Sequence, residues 1–134
     1  MDGSINWGLI GYGKFGKKIE SSFLTTKHSK LKAIASRSFE EKNDITAKLS
    51  NHKIIYDTHS KLIKDERIEN IYIATTNNFH KELIISSAKN KKNIICEKPA
   101  CLNEKDFKEC IDEIKKNNVF FMEGLMYLHH PQIN

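Results

Sequence analysis

Apolar positions along this chain fall into short runs, separated by longer stretches in which they recur every three or four residues. The runs are INWGLI (Ile5–Ile10), LKAIAS (Leu31–Ser36), KIIY (Lys53–Tyr56), NIYIAT (Asn70–Thr75), NIIC (Asn93–Cys96) and VFFM (Val119–Met122). Isoleucine, valine and aromatic residues dominate them with little polar alternation, as strands covered on both faces require. Between them the spacing predicts helices near Lys14–Thr25, Phe39–Leu49, Ser60–Lys64, His80–Asn90 and Asn103–Asn117. In the last of these, Phe107, Cys110, Ile111 and Ile114 make one apolar face, and Asn103 is placed to cap the first turn. Strand and helix in repeated alternation predict an α/β fold, a doubly wound and mostly parallel sheet of about six strands. No internal repeat, low-complexity tract or linker interrupts the pattern, so a single domain is expected.

The first run leads directly into Gly11-Tyr12-Gly13-Lys14-Phe15-Gly16, a G-x-G-x-x-G turn that opens the first helix. Four of the six glycines, Gly8 among them, lie within nine positions here. Alone such a pattern is weak evidence. After a strand and before a helix, in the first of several βα units, it reads as the phosphate-binding corner of a Rossmann fold. There the first glycine permits the turn, the second lets backbone approach a pyrophosphate, and the third brings helix against strand.

The end of the second strand bears on which dinucleotide is bound. An NAD site usually carries an acid there for the ribose hydroxyls. Here the residues are Ser36-Arg37-Ser38, and the first acid is Glu40. A guanidinium fork with two hydroxyls suits a 2′-phosphate. Arg37 is also conspicuous in a chain with twenty lysines and only one other arginine, Arg67. NADP(H) is therefore expected over NAD(H), with a surface arginine beside an unphosphorylated cofactor as the alternative.

Composition narrows the remaining classes. The chain has 134 residues, 39% hydrophobic and 29% charged, which accommodates one domain with a real core and no second large one. Net charge is +5, but the pairs Lys17-Lys18, Lys91-Lys92 and Lys115-Lys116 read as solvated surface. No basic stripe is interleaved with aromatics, so nucleic acid is not an expected partner. No apolar stretch is long enough to cross a bilayer, and MDGSINW lacks the order of a signal peptide. Cys96, Cys101 and Cys110 form no CxxC pair and read as free thiols. The expected location is the cytoplasm, with no membrane partner. His129-His130 lacks a suitably placed third ligand, so no metal is expected.

Two further stretches, IATTNNFH (Ile73–His80) and IICEKPA (Ile94–Ala100), follow the fourth and fifth runs, and MEGLMYLHHPQ (Met122–Gln132) closes the chain. Together with the glycine turn and ASRS, they resemble the N-terminal domain of the Gfo/Idh/MocA oxidoreductases. The tail is most similar to the glucose–fructose oxidoreductase and dimeric dihydrodiol dehydrogenase branch. The resemblance implies that Lys98 sits beside the nicotinamide and the substrate carbon, where a lysine shielded from water could relay the substrate hydroxyl proton. It assigns Glu97 to the nicotinamide ribose and implies a cis bond before Pro99. Thr75, Thr76 and Asn77 match the loop beneath the cofactor, although Thr76 stands where the family usually has proline. His80 matches a histidine opening the next helix, as a cofactor contact or as a residue that caps and packs.

On this resemblance residues 1–122 are the Rossmann domain, and 123–134 begin the connection to a C-terminal substrate domain that this sequence does not contain. The chain is then either a fragment or naturally short. The implied reaction passes hydride between nicotinamide and a sugar, polyol or diol, and the isolated chain is expected to bind cofactor but to be catalytically incomplete. A stand-alone dinucleotide-binding or sensing module, or a subunit pairing with a separate catalytic chain, is the alternative. A degenerate scaffold is disfavoured by the intact glycines and EKP. Apolar surface left uncovered would promote homo-oligomers.

Overall fold

The strand-like runs come together as one parallel sheet. The computed structural model describes residues 3–39 and 53–133. Within these, β1 (Ile5–Ile10), α1 (Lys14–Ser22) and β2 (Ser29–Ala35) are followed by β3 (Ile54–Tyr56) and α2 (His59–Ile63). The chain continues through β4 (Asn70–Ile73), α3 (His80–Lys89), β5 (Asn93–Cys96), α4 (Glu104–Asn117) and β6 (Phe121–Glu123). Strand order is β3-β2-β1-β4-β5-β6, and every neighbouring pair is parallel. This is the doubly wound order with its reversal at β1. Apart from Phe39, the helix expected over Phe39–Leu49 lies outside the described residues.

Successive side chains of the strands enter two different cores, which is why their runs lack polar alternation. Ile10, Ala33, Ala35, Ile71, Ile73, Ile94 and Cys96 face α2, α3 and α4, where Leu62, Ile84, Ala88 and Cys110 are fully buried. Leu9, Leu31 and Ile34 face the other way, towards Ile19 and Phe23 in and just after α1. Leu31 and Ile34 share that face although three residues apart, because the register slips opposite Trp7 and Gly8 and inserts Lys32 as a bulge. Each fully buried aliphatic side chain stabilises the fold by about 1.5–3 kcal/mol.

Helix ends follow their local chemistry. Asn103 caps α4 as expected, its Oδ1 accepting from the Asp106 amide at 2.9 Å, and Asn118 ends that helix in the left-handed conformation. The first helix stops at Ser22 and tightens into a 3₁₀ turn over Phe23–Thr25. One expectation is corrected. Lys92 is not solvated surface but buried, its ammonium donating to the carbonyls of Asp65 (2.8 Å) and Ile68 (2.6 Å). Those two carbonyls lie in the turn before β4; the Ile68 amide also donates to the Asp65 carbonyl at 3.1 Å, and the ammonium serves both.

Candidate functional site

The register brings the six strand ends to one level. Tyr56, Ala35, Ile10, Ile73, Cys96 and Glu123 are partners in turn across the sheet. The residues that follow them, Asp57, Ser36, Gly11, Ala74, Glu97 and Gly124, form the carboxyl edge. Strand order reverses beside Gly11, and open α/β sheets take their ligands in the crevice at such a reversal. A cavity of about 310 Å³ opens there, floored by the glycine turn and walled by Ser36, Arg37, His59, Thr75 and Phe79.

The glycines of the first βα unit do different work. A Cβ on Gly8 would lie 2.5 Å from Leu62, so that position is closed by packing. Gly11 has φ +94°, and a Cβ there would meet the Ala74 carbonyl oxygen at 2.7 Å. Gly16 lets α1 rest on the turn: its Cβ would lie 2.2 Å from the Gly11 carbonyl oxygen. Gly13 is different. It precedes α1 with φ −80°, which any residue adopts, and a Cβ on it would meet nothing within 4 Å. Among the described residues no side chain caps this helix end, so the first-turn amides that include Lys14 and Phe15 meet no acceptor there. Bare backbone, uncommitted donors and a helix N-terminus fit a diphosphate.

Tyr12 also lines this cavity, with its polar end engaged elsewhere. Its hydroxyl donates to Glu20, which also pairs with Lys53, and its ring packs on Phe39 at 5.5 Å. Burial, reinforced by the carboxylate, raises the phenol above its ordinary range, so Tyr12 stays neutral. Lys14 is exposed and Phe15 half-buried at the start of α1.

Beyond β2, Ser36 is buried at the strand end, and Arg37 and Ser38 sit in the short turn Arg37–Phe39. The Arg37 guanidinium stacks 4.2 Å from the Phe79 ring centroid and meets no carboxylate among the described residues. Arg67, by contrast, is committed. Its Nε and Nη2 donate to Asp65 at 2.9 and 3.0 Å, and Nη2 also reaches the Tyr56 hydroxyl.

Thr75, Thr76 and Asn77 follow β4 as a loop with increasing exposure, ending in the 3₁₀ turn Asn77–Phe79. His80 lies beneath it with no exposed surface. Its Nδ1 is 2.9 Å from the Pro99 carbonyl and its Nε2 3.1 Å from the Thr75 carbonyl. A side chain so enclosed has nothing for a cofactor to touch. Of the two readings, geometry supports packing, with the ring tying the β4 loop to the EKP turn.

In that turn the Lys98–Pro99 bond is cis, and Lys98 is exposed. The water-poor surroundings that the resemblance implies for Lys98 are therefore not made by the described residues. The Glu97 carboxylate accepts the Tyr72 hydroxyl through Oε1, while Oε2 has no partner among the described residues. Burial and that carboxylate raise the Tyr72 phenol, keeping it a donor. His129 and His130 are exposed, and among the described residues no three His, Cys, Asp or Glu side chains gather as a metal site would need.

A model of the Gfo/Idh/MocA oxidoreductase family, described as an NAD-binding Rossmann fold, matches residues 5–125. The chain belongs to that family. Trans-1,2-dihydrobenzene-1,2-diol dehydrogenase of Xenopus tropicalis is 32% identical over 129 residues, which are 93% of this chain and 38% of that protein. Myo-inositol 2-dehydrogenase of Thermotoga maritima is 32% identical over 117 residues, 87% of this chain and 35% of the other. Among solved structures, a probable dehydrogenase from Thermotoga maritima superposes with TM-score 0.85 at 30% identity, over 92% of this chain and 37% of that one.

This Gfo/Idh/MocA domain thus spans little more than a third of the length of these relatives. More distant neighbours share the fold with different cofactors. KijD10, a 3-ketoreductase from Actinomadura kijaniata, was solved with NADP (TM-score 0.86, 21% identity, 96% of this chain and 39% of that one). A scyllo-inositol dehydrogenase from Lactobacillus casei was solved with NAD(H) (TM-score 0.85, 24% identity, 96% and 38%).

The structure also brings forward residues that the sequence reading passed over. Tyr72 was hidden inside an apolar run, and Phe79 inside the loop motif. The Glu123 carboxylate accepts the Ala100 amide at 2.8 Å and so holds the EKP turn from the neighbouring strand. Gly124 admits Glu97: a Cβ there would lie 2.9 Å from Glu97 Oε1. An acid and a glycine directly after the last apolar run were the available signal. His59 carried none.

Proposed function

We propose that this Gfo/Idh/MocA domain binds NADP(H), in preference to NAD(H), as the cofactor half of an oxidoreductase acting on a sugar, polyol or diol. The observation that carries the reading is Gly13, whose missing side chain leaves a space that no described residue fills. The preference for a 2′-phosphate rests on Arg37, uncommitted to any described carboxylate and accompanied by Ser36 and Ser38.

When bound, the nicotinamide supplies the hydride chemistry. The glycine turn and first-turn amides hold the diphosphate, and Thr75, Thr76 and Asn77 line the path of the dinucleotide. Glu97, oriented by the Tyr72 hydroxyl, offers Oε2 to a ribose hydroxyl. Lys98 takes or returns the proton of the substrate hydroxyl, and needs a second wall to exclude water before it can do so efficiently. The same site serves a second reading, a binding module that pairs with a separate catalytic chain, which the exposure of Lys98 favours.

Fluorescence titration with NADPH and NADH tests the cofactor assignment. NADPH should bind about tenfold or more tightly, and Arg37→Ala should remove most of that ratio while leaving NADH nearly unchanged. Equal affinities in the unaltered protein would refute the 2′-phosphate reading. Among the described residues no helix is long and apolar enough to cross a membrane. We place the protein in the cytoplasm, with a small molecule rather than nucleic acid as its partner. Met126, Tyr127 and Leu128 are about half exposed or more and offer an apolar patch for self-association, which sedimentation at increasing concentration would reveal.

A further inference from the structure

His59, the first residue of α2, stands half-buried in the wall of the same cavity as Arg37 and Ser36. Neither nitrogen of its ring has a hydrogen-bond partner among the described residues. The neighbouring polar groups are otherwise engaged. The Tyr12 hydroxyl donates to Glu20, and the Asp57 carboxylate holds the Lys61 ammonium at 2.8 and 2.9 Å. Arg37 is the one described charge that acts on the ring. Burial first, and then this guanidinium, push the imidazole below its ordinary value and so hold it neutral in the free protein. A concave space thus has two basic groups in its wall and no described anion between them, which wastes electrostatic energy unless a ligand brings the anion.

We propose that His59 is a second recognition residue for the 2′-phosphate and takes up a proton from solvent as that phosphate binds. This rests on the NADP(H) reading of Arg37 and deepens it. A monoester phosphate carries a charge of about −1.5 to −2 near neutral pH. Placed beside Arg37, it cancels the repulsion that opposes an imidazolium and adds attraction of its own. NADH, with hydroxyls at the same position, does neither. The preference for the phosphorylated cofactor should therefore strengthen below neutrality through His59. Proton uptake by the phosphate, which titrates near pH 6, acts in the opposite direction.

The test follows the Cε1 proton of His59 by NMR between pH 5 and 8 in the free protein, the NADH complex and the NADPH complex. Loss of the signal in His59→Gln assigns it. In the NADPH complex the ring should titrate on the order of one pH unit higher than in the NADH complex, a tenfold gain in proton affinity. His59→Gln should lower the NADPH-to-NADH affinity ratio several-fold at pH 6 and barely change it at pH 8, with unaltered thermal unfolding.

Comparing the two proteins cancels the titration of the phosphate itself. Identical titration in both complexes, or an unchanged ratio in His59→Gln, overturns the proposal while a preserved NADPH preference leaves Arg37 standing. Equal affinity for the two cofactors at every pH removes both.

Discussion

Replacing Gly13 with alanine adds one methyl group where no atom of the described protein lies within 4 Å. With φ at −80° the new side chain meets no backbone strain. Alanine is a poorer N-cap than glycine by about 0.5 kcal/mol, and loss of unfolded-state freedom returns about 0.4–1 kcal/mol. Stability should stay within about 0.5 kcal/mol of the original. The methyl nevertheless occupies the approach to bare backbone and uncommitted amides, so NADPH affinity should fall on the order of 10- to 100-fold, or about 1.4–2.8 kcal/mol.

Two neighbours provide the contrast. Gly16→Ala puts a Cβ 2.2 Å from a backbone oxygen, and overpacking of about 1–3 kcal/mol outweighs the gain of about 1 kcal/mol in helix propensity. Gly11→Ala combines φ +94° with a 2.7 Å overlap and should cost about 2–4 kcal/mol. Urea unfolding and NADPH titration on the three variants measure both quantities. A folded Gly13→Ala protein that binds NADPH with undiminished affinity would show that the diphosphate lies elsewhere.

Other perturbations reach other parts of the edge. His80→Ala removes a fully buried ring that lies between the Pro99 and Thr75 carbonyls and leaves a void, so it should cost about 2–4 kcal/mol in urea unfolding. A change under 0.5 kcal/mol would deny the ring its tie between loops. Lys98→Ala, at an exposed position, should leave folding intact and NADPH affinity within about twofold, while turnover is lost in a full-length form carrying this domain; loss of cofactor binding would contradict the assigned role. Hydrogen bonds from Arg67, and then from Tyr56, hold the Asp65 carboxyl at about 2, below its ordinary 3.8. The folded value is the lower one, so this stabilisation is complete above about pH 4 and fades as pH falls towards 2. Asp65→Asn should flatten that acid limb and cost on the order of 1 kcal/mol at pH 7, Arg67 being largely exposed. An unchanged acid limb would show that another group carries it.

The sheet was legible because each strand is a short apolar run, and runs buried on both faces need no finer pattern. Ends were less so: β2 begins two residues earlier, at Ser29, because its bulge breaks the period that sequence reading relies on. At the site, Gly11 and Gly16 announce themselves through spacing, and Arg37 through its rarity. What the sequence could not show is which glycine is closed by packing and which is open, since that depends on Leu62, Ala74 and the Gly11 carbonyl arriving from elsewhere. Lys92 was misjudged for the same reason, its two acceptors lying 24 and 27 positions away. His59 opens a five-residue helix with no motif around it, and only the folded edge sets it beside Arg37.

Trp7, the sole tryptophan, lies on β1 at the opposite end from the glycine turn, its ring centroid 5.8 Å from that of Phe23. Its indole nitrogen is buried without a hydrogen-bond partner among the described residues, in an apolar groove shared with Tyr72 and Ile95. Gly11 lies four strand steps beyond it, and a strand rises about 3.3 Å per residue, so their backbones are about 13 Å apart. At such a range a bound reduced dinucleotide should quench the indole by energy transfer. The first strand thus serves as a ruler between a single native fluorophore and its acceptor, and occupancy can be followed optically without attaching any label.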